Sequence, residues 1–445
     1  MTAKPWAQTR LLRNGVVRNA LGLYVLQIGS YLLPIATIVF LARLLGPRDW
    51  GSLAFMQAFA GYVMLVVTYG FNYSATREVA RHRSDPDQLA DLLAGVLGAK
   101  VALTILSIAV VVPLSALVAP IHRNQNLLWP AMLWALSLSY SLNWFFQGLE
   151  RMSFVARWET AARVLSLAGI VVLVRSPADT WKVLAIQGAL MTGAVVVELA
   201  VTYREFRFRI PSARLVVRTL GLGWSTFIYQ GALSFYTVGN GFILGLFGSP
   251  AAVGYYVGAE KISKAFATML FPITQAVYPR ISHLASHARG DAARLARTSL
   301  FLVGAAGCLM GLGVFLGAPI LVRVALGPGF DSAVVVLRIL ALLPPLIAIS
   351  NVLGIQWMLA LGLDRLVNTV VISACVLNLT LALILVSRYQ QVGMAVAVVA
   401  SEALVAFGLY AVLRIRNLDP LAIAGRAAPG AAVAVATAAA AQVQR

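Results

Sequence analysis

Charge is scarce in this 445-residue chain: only 11% of its residues are Asp, Glu, Lys or Arg, where a soluble domain usually carries about 25%. That shortage excludes an ordinary soluble enzyme, because 60% of the residues are hydrophobic and long apolar runs recur from end to end. Cysteine is nearly absent. Cys308 and Cys375 both fall inside apolar runs, which leaves no disulfide framework and no CxxC metal spacing. Histidine is also rare. His283 and His287 are four apart, but the Glu of HExxH is missing, and the pair reads as one face of a solvated basic loop. No GxxxxGK[ST] sequence occurs, so the chain lacks the loop with which such proteins hold ATP phosphates. Acidic residues are outnumbered, 16 against 35 Lys and Arg, for a formal net charge of +19. In a soluble protein that excess would point to nucleic acid; here its placement has another explanation.

About twenty apolar residues cross the hydrocarbon core as a helix. The runs here are too long, and alternate too little, for the strands of a membrane barrel. The chain therefore reads as an all-α polytopic membrane protein with about 12 transmembrane helices. They are expected at 20–42, 52–71, 92–119, 127–148, 157–174, 182–203, 220–247, 251–279, 298–321, 333–361, 366–387 and 391–413. Lys4, Arg10, Arg13 and Arg18 precede the first run, which contains Pro34 and no small-residue cleavage site; this is an uncleaved span rather than a signal peptide. Pro34, Pro130, Pro272 and Pro344-Pro345 lie within spans and mark expected kinks. Residues 421–442 are apolar and Ala-rich but interrupted by Arg426 and Gly430, which leaves a partial thirteenth span open.

The loops fall into two sets. One set holds 22 Lys and Arg; the other holds 7, namely Arg43, Arg48, Arg123, Arg175, Lys182, Arg323 and Arg388. Basic loops stay in the cytoplasm, so both termini are expected there, in the inner membrane of a bacterium. The same count accounts for the net charge through contact with anionic membrane lipids, without nucleic acid.

The chain also repeats itself. Gln27 recurs as Gln230, and Leu45-Gly46-Pro47 followed by Gly51 recurs as Phe247-Gly248-Ser249-Pro250 followed by Gly254. Further on, Ala119-Pro120-Ile121 recurs as Ala318-Pro319-Ile320, Pro130 as Pro344, and Gly148-Leu149-Glu150-Arg151 as Gly362-Leu363-Asp364-Arg365. The expected organisation is an N-terminal six-helix bundle (1–203), a cytoplasmic linker (204–219), a C-terminal six-helix bundle (220–416) and an Ala-rich tail (417–445). Six is even, so both halves run the same way, and a substrate site between them can open to alternate sides.

Several stretches resemble a known family. They are Arg18-Asn19 through Gln27, Leu41-Ala42-Arg43-Leu44-Leu45-Gly46-Pro47, Trp50-Gly51, and Tyr69-Gly70-Phe71-Asn72 running into Ser74-Ala75-Thr76-Arg77. Phe146-Gln147-Gly148-Leu149-Glu150-Arg151-Met152, Ala259-Glu260-Lys261 and Gln275-Ala276-Val277-Tyr278-Pro279-Arg280-Ile281 complete the set. In this order, over residues 18–415, they resemble the O-antigen repeat-unit flippases of the Wzx type. These are polysaccharide biosynthesis proteins of the multidrug/oligosaccharidyl-lipid/polysaccharide exporter superfamily. The resemblance implies two six-helix bundles arranged as in multidrug and toxic compound exporters. It implies an undecaprenyl-pyrophosphate-linked glycan as cargo, no cofactor, and coupling to a proton or sodium gradient. A polysaccharide polymerase and a chain-length regulator are the implied protein partners. The Ala-rich tail is not part of the pattern.

Charges within spans are the candidate site, since each costs roughly 2.5–3.5 kcal/mol at mid-bilayer. Glu260, Lys261 and Lys264 lie deep in the eighth span, with Glu260 four before Lys264. Two readings stand: a cationic site for pyrophosphate with Glu260 as coupling residue, or a self-neutralising pair between helices. Glu402, mid-way along the twelfth span, is either a second coupling candidate or a structural partner within the bundle. Lys100, Arg163 and Glu198 lie near the cytoplasmic side, where the two basic residues either snorkel or line a vestibule. Arg338, near the outer side, is expected to snorkel. Arg43 is a candidate anion contact or an interfacial anchor. Asn240 is a candidate sugar contact beside Gln27, Asn72, Asn143, Gln147, Gln275, Asn351 and Gln356, with Trp144, Tyr229, Tyr236 and Trp357 available to stack on sugar rings; the other reading of each is interhelical packing or hydrogen bonding. A multidrug exporter would favour acidic cavity residues over Lys261 and Lys264. A polymerase or ligase would need a larger outer loop than any present.

Overall fold

The structure is a computed structural model. It describes the backbone of residues 6–237 and 239–426, and the side chains of 36–423 apart from 229, 232, 233 and 235–238. The side chains of Gln27, Pro34, Tyr229 and Tyr236, and most of the apolar tail, lie outside the described residues.

A helix satisfies its own backbone polar groups, which is why apolar segments adopt it in lipid. The described residues form helices and no strand. α1 (Trp6–Thr68) carries the first two expected spans, joined at Gly46, whose φ of 70° and ψ of 177° are open essentially to glycine alone. α2 (Phe71–Arg81) follows a break at Tyr69-Gly70. α3 (Pro86–Leu117) starts where the Asp85 carboxylate accepts from the backbone N–H groups of Asp87 and Gln88, at 3.1 and 3.0 Å. After a single turn, α4 (Ala119–His122), the fourth span is built from α5 (Gln125–Tyr140) and α6 (Asn143–Gly148). α7 (Met152–Leu173) and α8 (Thr180–Glu205) are the fifth and sixth.

α9 (Ala213–Thr237) and α10 (Gly239–Phe247) supply the seventh span, α11 (Pro250–Thr268) and α12 (Phe271–His287) the eighth, and α13 (Arg289–Ala325) the ninth. The tenth is assembled from α14 (Ser332–Leu340), α15 (Leu343–Ser350) and a π-helical stretch, Asn351–Met358. α16 (Asp364–Ile415) holds the last two, broken at Gln390 with φ 44°. A short α17 (Pro420–Arg426) follows. About twelve transmembrane helices result, as expected.

Prolines account for only some of the kinks. Pro272 and Pro344-Pro345 stand at the start of new helices, α12 and α15. Pro130 sits inside an uninterrupted α5, and the fourth span breaks instead at Ser141-Leu142, where no proline stands.

The residues group into two compact units. The first is Met1–Gly254 with Val324–Phe330, and the second is Tyr255–Arg323 with Asp331–Arg445. In the second, α13 turns Leu309 and Ile320 outward and buries Val303, Gly307, Gly311 and Val314. Its glycines lie under α15 and its approach: a Cβ on Gly307 would stand 2.9 Å from the Pro344 carbonyl, and one on Gly311 2.6 Å from that of Ala341. Small residues allow such approach where water provides no drive to associate. In the first unit Phe242 of α10 stacks on Phe55 of α1 at 5.5 Å. There Gly51 runs against the backbone carbonyl of Pro250, and Gly254 against that of Pro47.

Candidate functional site

Breaking a helix orphans backbone groups, and in a membrane protein's interior they need partners. In an unbroken fourth span Ser139 O would accept from the N–H of Asn143. Instead Lys100 Nζ, wholly buried on α3, donates to Ser139 O at 2.6 Å. The Leu142 N–H donates to Glu198 Oε2 of α8 at 2.9 Å, and the Asn143 N–H to Ser141 Oγ at 3.3 Å. Charged side chains thus cap both sides of the break. The Lys100 ammonium also lies 5.9 Å from the centre of the Trp144 ring, within cation–π range.

A second carboxylate joins them. Glu159 of α7 accepts from Ser141 Oγ at 2.8 Å and Asn143 Nδ2 at 2.6 Å, and pairs with Arg163 at 3.3 Å. Lys100, Arg163 and Glu198 therefore belong to one network. Lys100 faces neither the lipid surface nor a vestibule, whereas Arg163 stays 44% exposed. Glu159 is the member that sequence reasoning missed. Its signal was present: it stands four before Arg163, the favourable acid-before-base spacing.

At the offset of the repeat, the corresponding place in the second unit is neutral. Ser299 of α13 donates to Gln356 Oε1 at 2.7 Å, and Gln356 Nε2 donates to Thr274 O at 3.2 Å. Gln356 lies in the π-helical stretch, so a kinked span is again held by its neighbours. Trp357 is buried and donates its indole N–H to Leu418 O at 2.8 Å. Trp144 is buried as well, while Asn72, Gln147 and Gln275 are exposed and Asn351 is half-buried.

On α11, Lys264 Nζ meets Glu260 Oε1 at 2.9 Å, and the Tyr256 hydroxyl donates to the same oxygen at 3.1 Å. Glu260 is 12% exposed and Lys264 45%, so the pair has one protected and one accessible end. Lys261, half-buried, follows Glu260 directly. Two ammonium groups and one carboxylate thus share a little over one helical turn.

The remaining expected residues are separate. Arg43 is exposed, and its guanidinium donates to Val324 O. It passes over Gly327, where φ is 89° and a Cβ would stand 2.7 Å from Arg43 Cγ. Asn240 is buried on α10 in the first unit, and Glu402 is half-buried on α16 in the second. The Arg338 guanidinium lies 5.7 Å from the Phe315 ring centre. No group of three or more His, Cys, Asp or Glu suited to a metal occurs among the described residues.

Two solved structures share the fold. A lipid II flippase MurJ in an inward closed conformation superposes with a TM-score of 0.62 at 14% identity, covering 90% of each chain. An inward-facing multidrug resistance MATE family transporter gives 0.65 at 14% identity, covering 89% of this chain and 96% of its own. Sequence relatives lie closer. A protein of Escherichia coli (strain K12) named "Putative O-antigen transporter" is 34% identical over 397 residues, 87% of this chain and 94% of its own. One of the same name from Shigella dysenteriae is 28% identical over 394 residues, 87% and 97% of the two chains. The sequence pattern of the polysaccharide biosynthesis proteins matches residues 16–285, and on these grounds the chain belongs to the polysaccharide biosynthesis protein family.

Proposed function

We propose that the chain is a flippase that moves undecaprenyl-pyrophosphate-linked oligosaccharide units across the bacterial inner membrane for surface polysaccharide assembly. The observation that carries this reading is the α11 group. This stretch of a membrane span holds two lysines, Lys261 and Lys264, and one carboxylate, Glu260, for a formal charge of +1. Each such charge costs roughly 2.5–3.5 kcal/mol to insert, and a diphosphate cargo supplies the matching anion. A cationic drug would meet Lys261 and Lys264 as like charges, which disfavours the multidrug exporter reading.

In this reading the chain is a secondary transporter working by alternating access. Both termini lie in the cytoplasm. Glu260 and Glu402 couple the cycle to a proton or sodium gradient. The flipped unit passes to a polysaccharide polymerase under a chain-length regulator.

The test is surface glycan staining in a deletion strain complemented with the Lys261→Ala/Lys264→Ala variant. Export is expected to be lost while the protein remains in the membrane at normal level. Normal staining discards the cationic site.

A further inference from the structure

The end of the first unit where α1 turns at Gly46 has a cavity of about 580 Å³ that the transport reading leaves unused. Its lining includes the buried apolar side chains Phe55, Leu127 and Val253, but the surface it exposes is mostly polar. Its rim carries Arg48 and Arg123, both exposed. Neither arginine has a carboxylate within salt-bridge distance among the described residues. Their neighbour Lys182, by contrast, is already neutralised by Asp179 at 2.6 Å. Arg123 holds itself in place through Nε, which reaches Ala119 O at 3.4 Å, and its terminal nitrogens remain for a ligand.

Basic residues are few in this set of loops, 7 against 22 in the other, yet two of them meet over one cavity. Guanidinium groups match phosphate oxygens in a fixed, two-pronged geometry. Asp49 on the same rim accepts hydrogen bonds and opposes a bare dianion. It favours a phosphate attached to a hydroxyl-bearing group, and the cavity's place on a membrane-spanning unit makes a membrane lipid the natural bearer of that phosphate.

We propose that this cavity binds the phosphate ester of an amphipathic lipid, clamped by Arg48 and Arg123. Two sources share that chemistry: the diphosphate of a prenyl-linked glycan, and the headgroup of an anionic phospholipid. The site stands on its own geometry. Only the prenyl source ties it to the proposed cargo.

The experiment uses the full chain in nanodiscs of phosphatidylcholine, with binding read by native mass spectrometry. One arm adds farnesyl diphosphate and the other phosphatidylglycerol. The Arg48→Gln/Arg123→Gln variant is expected to lose about tenfold or more in affinity for at least one of them, while Arg388→Gln, an exposed arginine of the same loop set that does not line the cavity, keeps it. A loss in the first arm assigns the prenyl source, and a loss in the second alone assigns the phospholipid. Undiminished binding of both ligands overturns the proposal. If the double variant does not give a monodisperse protein, Arg123→Gln alone is read, with a severalfold loss expected and no loss overturning the site. The two readings fail separately. Normal export by the Lys261/Lys264 variant removes the cationic site on α11 and leaves this cavity; unchanged binding here removes the cavity and leaves the α11 site.

Discussion

Gly51 and Gly254 make one contact twice. The carbonyl of Pro250 stands over Gly51, and the carbonyl of Pro47 stands over Gly254, each where a side chain would otherwise be. The glycines are 203 residues apart, and so are the prolines. A contact made again with its partners exchanged is what a local two-fold produces. The repeat in the sequence is therefore visible as geometry at this crossing.

Gly51→Ala and Gly254→Ala should each destabilise the protein. The obstructing atoms are backbone, which cannot swing aside, and overpacking costs about 1–3 kcal/mol or more. Thermal unfolding of the purified protein is the measurement. Gly193→Ala, on α8 with nothing within 4 Å of the added methyl, is the control expected to keep or raise the midpoint. Equal behaviour of the three variants would refute the argument.

Lys100 and Glu198 should couple strongly. Lys100→Met leaves the buried Ser139 O without its donor, and an unsatisfied buried acceptor costs about 1–3 kcal/mol. Glu198→Gln keeps the shape but weakens the bond to the Leu142 N–H. The double variant should lose less than the sum of the singles, by about 0.5–3 kcal/mol. Additive losses in a thermal-unfolding cycle would show that the two ends of the break are independent.

The hydroxyl of Tyr256 should matter modestly and the charge of Glu260 more. Tyr256→Phe removes one of two bonds to Glu260 Oε1, a net loss of about 0.5–1.5 kcal/mol. Transport in proteoliposomes should fall severalfold, with the folded fraction unchanged. Glu260→Gln should lower it further. A fully active Glu260→Gln protein rules out both the coupling and the positioning role of this carboxylate.

Glu402→Gln tests coupling in the second unit. If Glu402 carries a proton through the cycle, the pH profile of transport flattens in the variant while cargo binding at fixed pH persists. An unaltered profile removes Glu402 from coupling.

Much of the fold is legible without coordinates, because a span announces itself by apolar length and a glycine-proline turn by its own chemistry. Gly46-Pro47 and Gly248-Ser249-Pro250 fall where the chain turns. The break at Ser141-Leu142 has no such marker, and Pro130, which does look like one, leaves α5 intact. Lys100 reads from its depth as a residue that reaches for the lipid surface, yet it is wholly buried. The Glu260–Lys264 pair was readable, since four residues along a helix bring two side chains together. Glu159 was not singled out, because a lone acid one turn before an arginine looks like any solvated pair.

The amino-acid sequence alone settled where this chain becomes helical and where its glycine-proline turns fall. Both follow from local properties: hydrophobic length, backbone freedom and spacing. Which charges serve the protein itself was decided only by packing. The donor for Ser139 O comes from 39 residues away, and the acceptor for the Leu142 N–H from 56. Orphaned backbone groups in a dry interior draw partners from whichever helices lie alongside, and no local pattern specifies those neighbours.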